Sequence, residues 1–203
     1  MPKFIQGIAV LLLALLVAVR SVSAASVDEM LAERALGDEA APVTIVEYSS
    51  LGCPHCAAFH RETLPQIKEA YIDTGKVRLV YRDYPLGGAA MAAALIARCV
   101  EPSRYFGFIN MLYRDQATWA ASTKPLDDLK QLSRFAGLSE ADFNACLENK
   151  ALLQGIQERA SQAQKEAGID STPTFFVNDR KIVGAQGFET FKAAIDEALE
   201  KAR

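Results

Sequence analysis

The sequence predicts an α/β fold that contains an inserted helical subdomain. Three observations lead to this prediction: a strand, helix and strand in succession within residues 43–82, a hairpin and closing helix within residues 174–201, and purely helical patterns over residues 87–167. Hydrophobic residues make up 50% of the 203 residues, so the chain can bury one sizeable core. We therefore expect one domain with an insertion.

The first half of the chain predicts two strands joined by a crossover helix. After a short helix and turn over residues 30–41, the apolar run 43–48 predicts a strand, residues 57–72 a helix, and residues 77–82 a second strand. A helix between two strands favours parallel pairing. The mostly apolar first strand suits a sheet that is covered on both faces.

Helices are predicted for the middle of the chain, and a hairpin with a helix for its end. Strands over residues 174–177 and 181–183 flank a turn of Asn178, Asp179 and Arg180. The closing helix 188–201 places its apolar residues on one stripe, which should cover the sheet. The predicted helices of the insertion span residues 89–100, 103–116, 126–135, 140–148 and 152–167.

The first 25 residues are typical of a cleavable secretory signal. Lys3 precedes an apolar run over residues 8–19, and small residues at 23–25 follow it. An uncleaved N-terminal anchor is the alternative, since Arg20 interrupts the run before the small residues. Cleavage and export would place residues 37–203, the predicted domain, in the oxidising periplasm.

The charge of the chain argues against a nucleic-acid partner. Cleavage would remove Lys3 and Arg20, which leaves 20 basic and 25 acidic residues and a net charge of −5. There is no basic block and no basic face interleaved with aromatic residues. Since the mature chain has no second long apolar run, we expect a soluble protein.

Two cysteines, Cys53 and Cys56, meet the predicted start of the first long helix. Their i, i+3 spacing on one helical face brings the two sulfurs within reach of a disulfide. The unpaired amides and dipole of a helix N-terminus favour a thiolate on Cys53, the expected nucleophile. Pro54 suits the first helical position, and a protonated His55 would further stabilise the anion. The motif therefore predicts a redox-active dithiol.

A zinc site, a purely structural bridge and a motif without function are competing interpretations of these residues. Zinc would need further ligands, but Cys99 and Cys146 stand alone and the only histidines are His55 and His60. A disulfide that closes so short a loop would constrain the unfolded chain little. We therefore expect no metal and no other cofactor, and we expect His60 to be a surface or groove residue.

Together these features resemble the thioredoxin fold in its DsbA-type form. The resemblance extends from about residue 37 to the C-terminus, with the helical insertion at about residues 87–167. Its most specific elements are the Cys53–Cys56 motif, Glu47 on the preceding strand, and Thr172-Pro173 before the late strand. The resemblance implies a periplasmic thiol:disulfide oxidoreductase of the thioredoxin superfamily.

The resemblance also implies roles for residues outside the motif. Pro173 would be cis and lie against the active-site disulfide, which places the Thr172 backbone beside a docking substrate. Glu47 would accept a proton from Cys56, although a carboxylate in an apolar strand is costly to bury unless it is solvated, paired or protonated. The alternatives are a trans proline that starts an edge strand and an acid at a solvated position.

The expected activity is donation of the Cys53–Cys56 disulfide to folding proteins. By resemblance, the partners would be reduced, unfolded exported proteins and a DsbB-like membrane quinone reductase, and the enzyme would be a monomer. Thr172 departs from the valine of the best-known oxidases and is also found in isomerases, so a disulfide isomerase or reductase is one alternative. A non-catalytic chaperone or peptide-binding module is the other.

Cys99 and Cys146 fall on separate helices of the predicted insertion. In an exported protein they could form a second, structural disulfide, and free buried thiols are the alternative. Such a bridge would stabilise the fold by roughly 4 kcal/mol in the chain-entropy model, less any strain in the native state.

Overall fold

A mixed five-stranded sheet forms the centre of the molecule. The computed structural model describes residues 25–202, so the predicted signal at residues 1–25 lies outside the described residues except for Ala25. The strands are β1 Arg34–Leu36, β2 Val43–Ser49, β3 Val77–Asp83, β4 Thr174–Val177 and β5 Arg180–Val183. Their order across the sheet is β1-β3-β2-β4-β5.

The parallel pairing of the first two predicted strands and the late hairpin are as expected. Strands β2 and β3 pair in parallel, with Val43 opposite Val77 and Ser49 opposite Asp83. Strand β4 pairs antiparallel with β2, and β5 with β4. Asn178 adopts a φ of 48° in the turn between β4 and β5, a conformation that asparagine tolerates better than most residues. The α/β fold class is thus confirmed.

The segment before β2 differs from the prediction of a short helix and turn over residues 30–41. Helix α1 spans Val27–Leu31 and is capped by Ser26, whose hydroxyl accepts the Glu29 N–H. Strand β1 then pairs antiparallel with β3, placing Arg34 opposite Tyr81. Three residues are too few to display the alternation that identifies a strand, so only the pairing with β3 defines it.

The crossover between β2 and β3 is a helix of changing pitch. Its consecutive segments are α2 Pro54–Ala58, a π-helical segment Phe59–Thr63, α3 Leu64–Ile67 and a second π-helical segment Lys68–Ile72. Pro65 lacks the N–H that would bond the carbonyl of Arg61, which accounts for the wider turn before it. The helix begins at Pro54, which confirms the first helical position predicted for that residue and extends the predicted range 57–72 by three residues.

The helical insertion lies between β3 and β4, as predicted. Its helices share a buried core with the motif, in which Phe108, Leu112 and Trp119 pack together with Cys53 and Cys56. The insertion therefore packs directly against the cysteine motif. Its α-helices are α4 Gly88–Cys99, α5 Tyr105–Arg114, α6 Gln116–Trp119, α7 Pro125–Phe135, α8 Glu140–Glu148 and α9 Lys150–Ala167.

Helices cover both faces of the sheet. On one face, Ile45 of β2 shares a buried cluster with Phe191 of the last helix, α10 Phe188–Lys201. On the other face, the neighbouring Val46 packs into a cluster that contains Ala163 of α9. Successive strand residues point to opposite faces, so both faces of β2 are buried. Among residues 25–202, no helix combines the length and the apolar character that a bilayer crossing requires.

Candidate active site

The two motif cysteines lie where β2 has ended and α2 begins. Cys53 is the residue before the first helical turn and has an extended backbone, while Pro54 occupies the first turn. The Cys53 N–H donates to the Ser50 carbonyl at 3.0 Å, and the Cys53 carbonyl accepts from the Ala57 N–H at 3.1 Å. Cys56 follows almost one turn later, so both side chains occupy the same region of the helix start.

The two sulfurs differ in their exposure. Cys53 keeps 9% of its surface exposed, whereas Cys56 has no exposed surface. Both are free thiols, so the structure represents the reduced protein. Of the two, Cys53 is therefore the sulfur that a thiolate of another protein can reach.

The loop before β4 packs against Cys53. The Thr172–Pro173 peptide bond is cis, and the Cys53 thiol donates to the Thr172 carbonyl at 3.3 Å. The Thr172 hydroxyl is buried and has no hydrogen-bond partner within the described part of the chain. Residues far apart in sequence thus meet at one sulfur.

Cys53 ionises far more readily than an ordinary cysteine. A hydrogen bond from the Cys56 thiol is the largest of the effects that lower the pKa of Cys53 to about 5, although burial opposes ionisation. The Thr172 side chain and the N–H groups of Cys56 and His55 add to this lowering of the pKa. These N–H groups belong to the helix start, where amides lack intrahelical partners. Cys53 is therefore a thiolate at neutral pH.

Cys56 has the opposite tendency. Burial raises the pKa of Cys56 well above its usual range, and the hydrogen bond to Cys53 and the charge of Glu47 raise it further. Hydrogen bonds from the Ser49 hydroxyl and the Ser50 N–H act in the other direction. The Ser50 nitrogen lies 3.5 Å from the Cys56 sulfur. In the reduced protein, the shared proton therefore resides on Cys56.

Glu47 is fully buried on β2 and is paired with His60. The Nε2 atom of His60 lies 2.9 Å and 3.1 Å from the two carboxylate oxygens. The prediction of a surface or groove position for His60 is wrong, because the residue four positions after Cys56 lies on the same buried helix face. The alternative of a solvated position for Glu47 is wrong for the same reason: the acid points into the core.

Gln116 fixes the loop that holds the cysteine motif. Its side-chain Nε2 donates to the Leu51 carbonyl at 2.6 Å and to the Cys53 carbonyl at 3.0 Å. Gln116 itself is buried in α6. The helical insertion therefore helps to hold the nucleophile in place, and not only to cover it.

The comparisons with known proteins agree with this geometry. Residues 29–197 match the family model described as thioredoxin. The crystal structure of alpha-DsbA1 from Wolbachia pipientis superposes with a TM-score of 0.79 at 32% identity, covering 87% of this chain and 98% of that one. This chain belongs to the thioredoxin family, as a DsbA-like member.

Two further relatives carry names from the same chemistry. A Rickettsia conorii protein named as a protein-disulfide oxidoreductase is 32% identical over 82% of the DsbA-like chain, which spans 60% of that relative's length. A protein-disulfide isomerase structure from Novosphingobium aromaticivorans has a TM-score of 0.71 at 26% identity and covers 82% of this chain, which covers 97% of it. These names support thiol–disulfide exchange as the chemistry of the DsbA-like site.

The fold brings most of the predicted site residues of the DsbA-like chain together. Cys56 and the Thr172-Pro173 loop lie against Cys53, and Glu47 lies near Cys56. Pro54 and His55 are exposed, and His55 acts on Cys53 through its backbone N–H. Cys99 and Cys146 are bonded to each other across α4 and α8, with Cα atoms 6.3 Å apart.

Sequence reasoning missed several polar residues of the DsbA-like site. The buried partners of the motif are His60, Gln116, Ser49 and Tyr113. The only sequence signal for them is position: His60 stands four residues after Cys56, and Ser49 stands at the end of the strand that leads to the motif. Gln116 and Tyr113 reach the site only through the packing of the insertion, which no local pattern encodes.

Proposed function

We propose that this DsbA-like chain is an exported protein-disulfide oxidase, which donates its Cys53–Cys56 disulfide to folding proteins. The supporting observation is the unequal acidity of the two thiols. Cys53 has a pKa of about 5, whereas burial raises the pKa of Cys56. A thiolate that is stable on Cys53 is a good leaving group, so a mixed disulfide at Cys53 is released readily.

The reaction proceeds in two exchanges. A substrate thiolate attacks the Cys53 sulfur, and the new sulfur–sulfur bond forms as the Cys53–Cys56 bond breaks. The electron pair leaves on Cys56, which takes up a proton. A second substrate thiolate then attacks the substrate sulfur of the mixed disulfide, and Cys53 departs as a thiolate. Two substrate thiols become one disulfide, and the protein retains the two electrons as its dithiol.

Glu47 is the proposed proton acceptor for Cys56 during the return to the disulfide. Its carboxylate is buried close to Cys56, and the pair with His60 fixes its orientation. Proton transfer to a positioned carboxylate lets the buried Cys56 become a nucleophile without contact with bulk water. The proposal for Glu47 rests on this placement.

The substrates are reduced, unfolded proteins in the periplasm, and they dock against the Thr172-Pro173 loop beside Cys53. The apolar N-terminal run supports export, because a signal there would deliver the chain to an oxidising compartment. Each turnover leaves the dithiol, so an oxidant must restore the disulfide. We assign this role to a DsbB-like membrane protein linked to quinone, acting on a monomer.

Disulfide isomerisation is a second candidate function. Thr172 supports it, because its side chain lowers the pKa of Cys53 and so favours the reduced, ionised form. The name of the Novosphingobium structure supports it as well. An isomerase would differ from the oxidase in being kept reduced by its partner.

The deciding experiment is equilibration of the Cys53–Cys56 pair with glutathione redox buffers. We expect a reduction potential near that of DsbA, about −120 mV, since the ionised Cys53 stabilises the dithiol. A value near that of thioredoxin, about −270 mV, would overturn the oxidase proposal and favour a reductase.

A variant separates the enzyme from a chaperone. Cys53→Ser should abolish disulfide formation in a reduced, unfolded substrate, because it removes the attacked sulfur. If Cys53→Ser retained the full effect of the parent protein on that substrate, binding rather than disulfide exchange would be the function.

A further inference from the structure

We propose that the Ser49 hydroxyl and the Ser50 N–H together stabilise the Cys56 thiolate. Two more hydroxyls, those of Tyr113 and Tyr81, lie behind Ser49 and hold it in the donating orientation. In this proposal Ser49 is a catalytic residue, because it donates to a reacting sulfur, and the two tyrosines are positioning residues. The inference rests on the proposed thiol–disulfide exchange and identifies the groups that make the inner sulfur reactive.

Three buried hydroxyls form a continuous chain that ends at Ser49, next to Cys56. The hydroxyl oxygens of Tyr81 and Tyr113 are 2.8 Å apart, and the Tyr113 oxygen is 2.9 Å from Ser49 Oγ. The Ser49 side chain lies beside Cys56 and lowers the pKa of that thiol. The Ser50 N–H approaches the same sulfur at 3.5 Å. All of these residues are at most 1% exposed, so bulk water does not compete for the hydrogen bonds.

The groups at the two ends of the hydroxyl chain decide in which direction its hydrogens point. Each hydroxyl has a single hydrogen to donate. If the hydrogens pointed away from Cys56, the last one, on Tyr81, would find no acceptor within residues 25–202, where Tyr113 is its one hydrogen-bond partner. A buried donor without an acceptor is unfavourable. If the hydrogens point toward Cys56, every hydroxyl has an acceptor and the last hydrogen lies on the sulfur.

With its hydrogens pointing toward Cys56, the hydroxyl chain forms a preorganised site for the Cys56 thiolate. Donors that already point at the place where negative charge develops need no reorganisation during the reaction. Consecutive hydrogen bonds in a low-dielectric interior also polarise one another, so Tyr113 and Tyr81 strengthen the bond that Ser49 makes. The Ser50 N–H is the second donor to the sulfur, and because it belongs to the backbone it cannot be removed by a side-chain change.

Cys56 needs such donors because the rest of its surroundings oppose its ionisation. Cys56 must be an anion when it leaves Cys53 and again when it attacks during reoxidation. Glu47 presents negative charge, and His60 is held by Glu47 rather than by the sulfur. The titratable groups that surround Cys56 are Cys53 in the motif loop, Glu47 on β2, Tyr81 on β3, His60 on the crossover helix and Tyr113 on α5.

The test measures the reactivity of Cys56 alone. The protein is converted to the mixed disulfide between Cys53 and glutathione, and the release of glutathione is followed as Cys56 closes the ring. Ser49→Ala removes a hydrogen bond to an anion, so the Cys56 thiolate fraction should fall by about tenfold or more. Because a more basic thiolate is a better nucleophile, the closing rate below the Cys56 pKa should fall by about threefold.

Two variants and one control distinguish this role from a packing effect. Tyr113→Phe should slow closure in the same pH range, though by less than Ser49→Ala, and Ser49→Thr should restore it because it keeps the hydroxyl. Tyr105→Phe is the matched control: its buried hydroxyl has no hydrogen-bond partner in the described residues and stands outside the chain. Equal closing rates and pH profiles in all four variants and the parent protein would overturn the proposal.

The outcome is separable from that of the proposed function. Closure of the glutathione mixed disulfide depends on the two cysteines and their donors, not on a protein substrate or on the direction of net exchange. A reduction potential like that of thioredoxin, combined with slowed closure in Ser49→Ala, would therefore remove the oxidase role and keep the hydroxyl chain. If Ser49→Ala does not fold, Tyr113→Phe tests the same chain with the serine intact.

Discussion

The low pKa of Cys53 makes a quantitative prediction about the stability of the reduced protein. Ionisation at a pKa of about 5 in the folded state, against an ordinary value of 9.0, stabilises the folded dithiol above the pH at which Cys53 ionises. The contribution is complete above the unfolded pKa and is lost as the pH falls through about 5. The free energy of unfolding from this group should therefore rise between pH 5 and 9.

The size of the effect follows from the difference between the two pKa values. Each pH unit in this window should add about 1.4 kcal/mol to the free energy of unfolding, since only the folded thiol is ionised there. At pH 7 the contribution is about 3 kcal/mol, and above pH 9 it reaches about 5 kcal/mol. Contributions of this size are a large part of the stability of a typical domain.

Denaturant unfolding of the reduced protein at several pH values between 5 and 9 measures this dependence. Other groups titrate in the same range, so the same series is run on Cys53→Ser, which retains them and lacks only the thiol. The difference between the two series isolates Cys53. The ultraviolet absorbance of the thiolate, followed in the folded protein, gives its pKa independently.

Parallel curves for the parent protein and Cys53→Ser would refute the reasoning. They would mean that Cys53 titrates at nearly the same pH in the folded and unfolded chains. The thiolate would then not stabilise the folded dithiol. The physical basis for a strongly oxidising disulfide would be lost, even though similar proteins are named as disulfide oxidoreductases.

Three further predictions concern the supports of the site, and denaturant unfolding checks each of them. His60→Leu should destabilise the fold by about 3 kcal/mol or more, because it leaves Glu47 buried without its partner. The double variant Glu47→Leu, His60→Leu should recover much of that loss. If the losses of stability from the two single variants simply add, the pairing is contradicted. Gln116→Ala should lower the free energy of unfolding by about 2 kcal/mol, since two buried carbonyls lose their donor. An unchanged unfolding midpoint would show that the motif loop does not depend on Gln116 for its stability. Replacing Cys99 and Cys146 by alanine opens a loop with a sequence separation of 47 and should cost about 4 kcal/mol in the chain-entropy model, whereas unchanged stability would indicate that strain offsets the bridge.

Local patterns were sufficient for much of the fold. The apolar run of β2, the cysteine motif and the late hairpin are each encoded in a few consecutive residues, and the structure places them as predicted. Strand β1 was missed because three residues carry no periodicity, and its existence depends on the free edge of β3. The apolar pattern places the helix only from Ala57, whereas the preference of proline for the first helical position correctly marks its start at Pro54.

The candidate site was harder to predict because half of it is contributed at a distance. His60 shares the buried face of Cys56, but its partner Glu47 is 13 residues earlier, on the strand, and the helical spacing alone does not bring them together. Tyr113 and Gln116 come from the insertion and reach the motif across 60 or more residues of sequence. Helical periodicity identifies such residues as helical, but not which of them face the sulfurs.

Different parts of the sequence supply the groups that act on the two sulfurs. The groups that acidify Cys53 are Cys56, the helix-start amides and Thr172. The hydroxyl beside Cys56 is that of Ser49 on β2, which is hydrogen-bonded in turn to Tyr113 on α5 and, through it, to Tyr81 on β3. A change in the Thr172 loop should therefore alter the leaving-group quality of Cys53 while the hydroxyl chain behind Cys56 remains intact. Because Cys56 is itself the largest donor to Cys53, the converse does not hold: any change that ionises Cys56 removes a hydrogen bond that keeps Cys53 acidic.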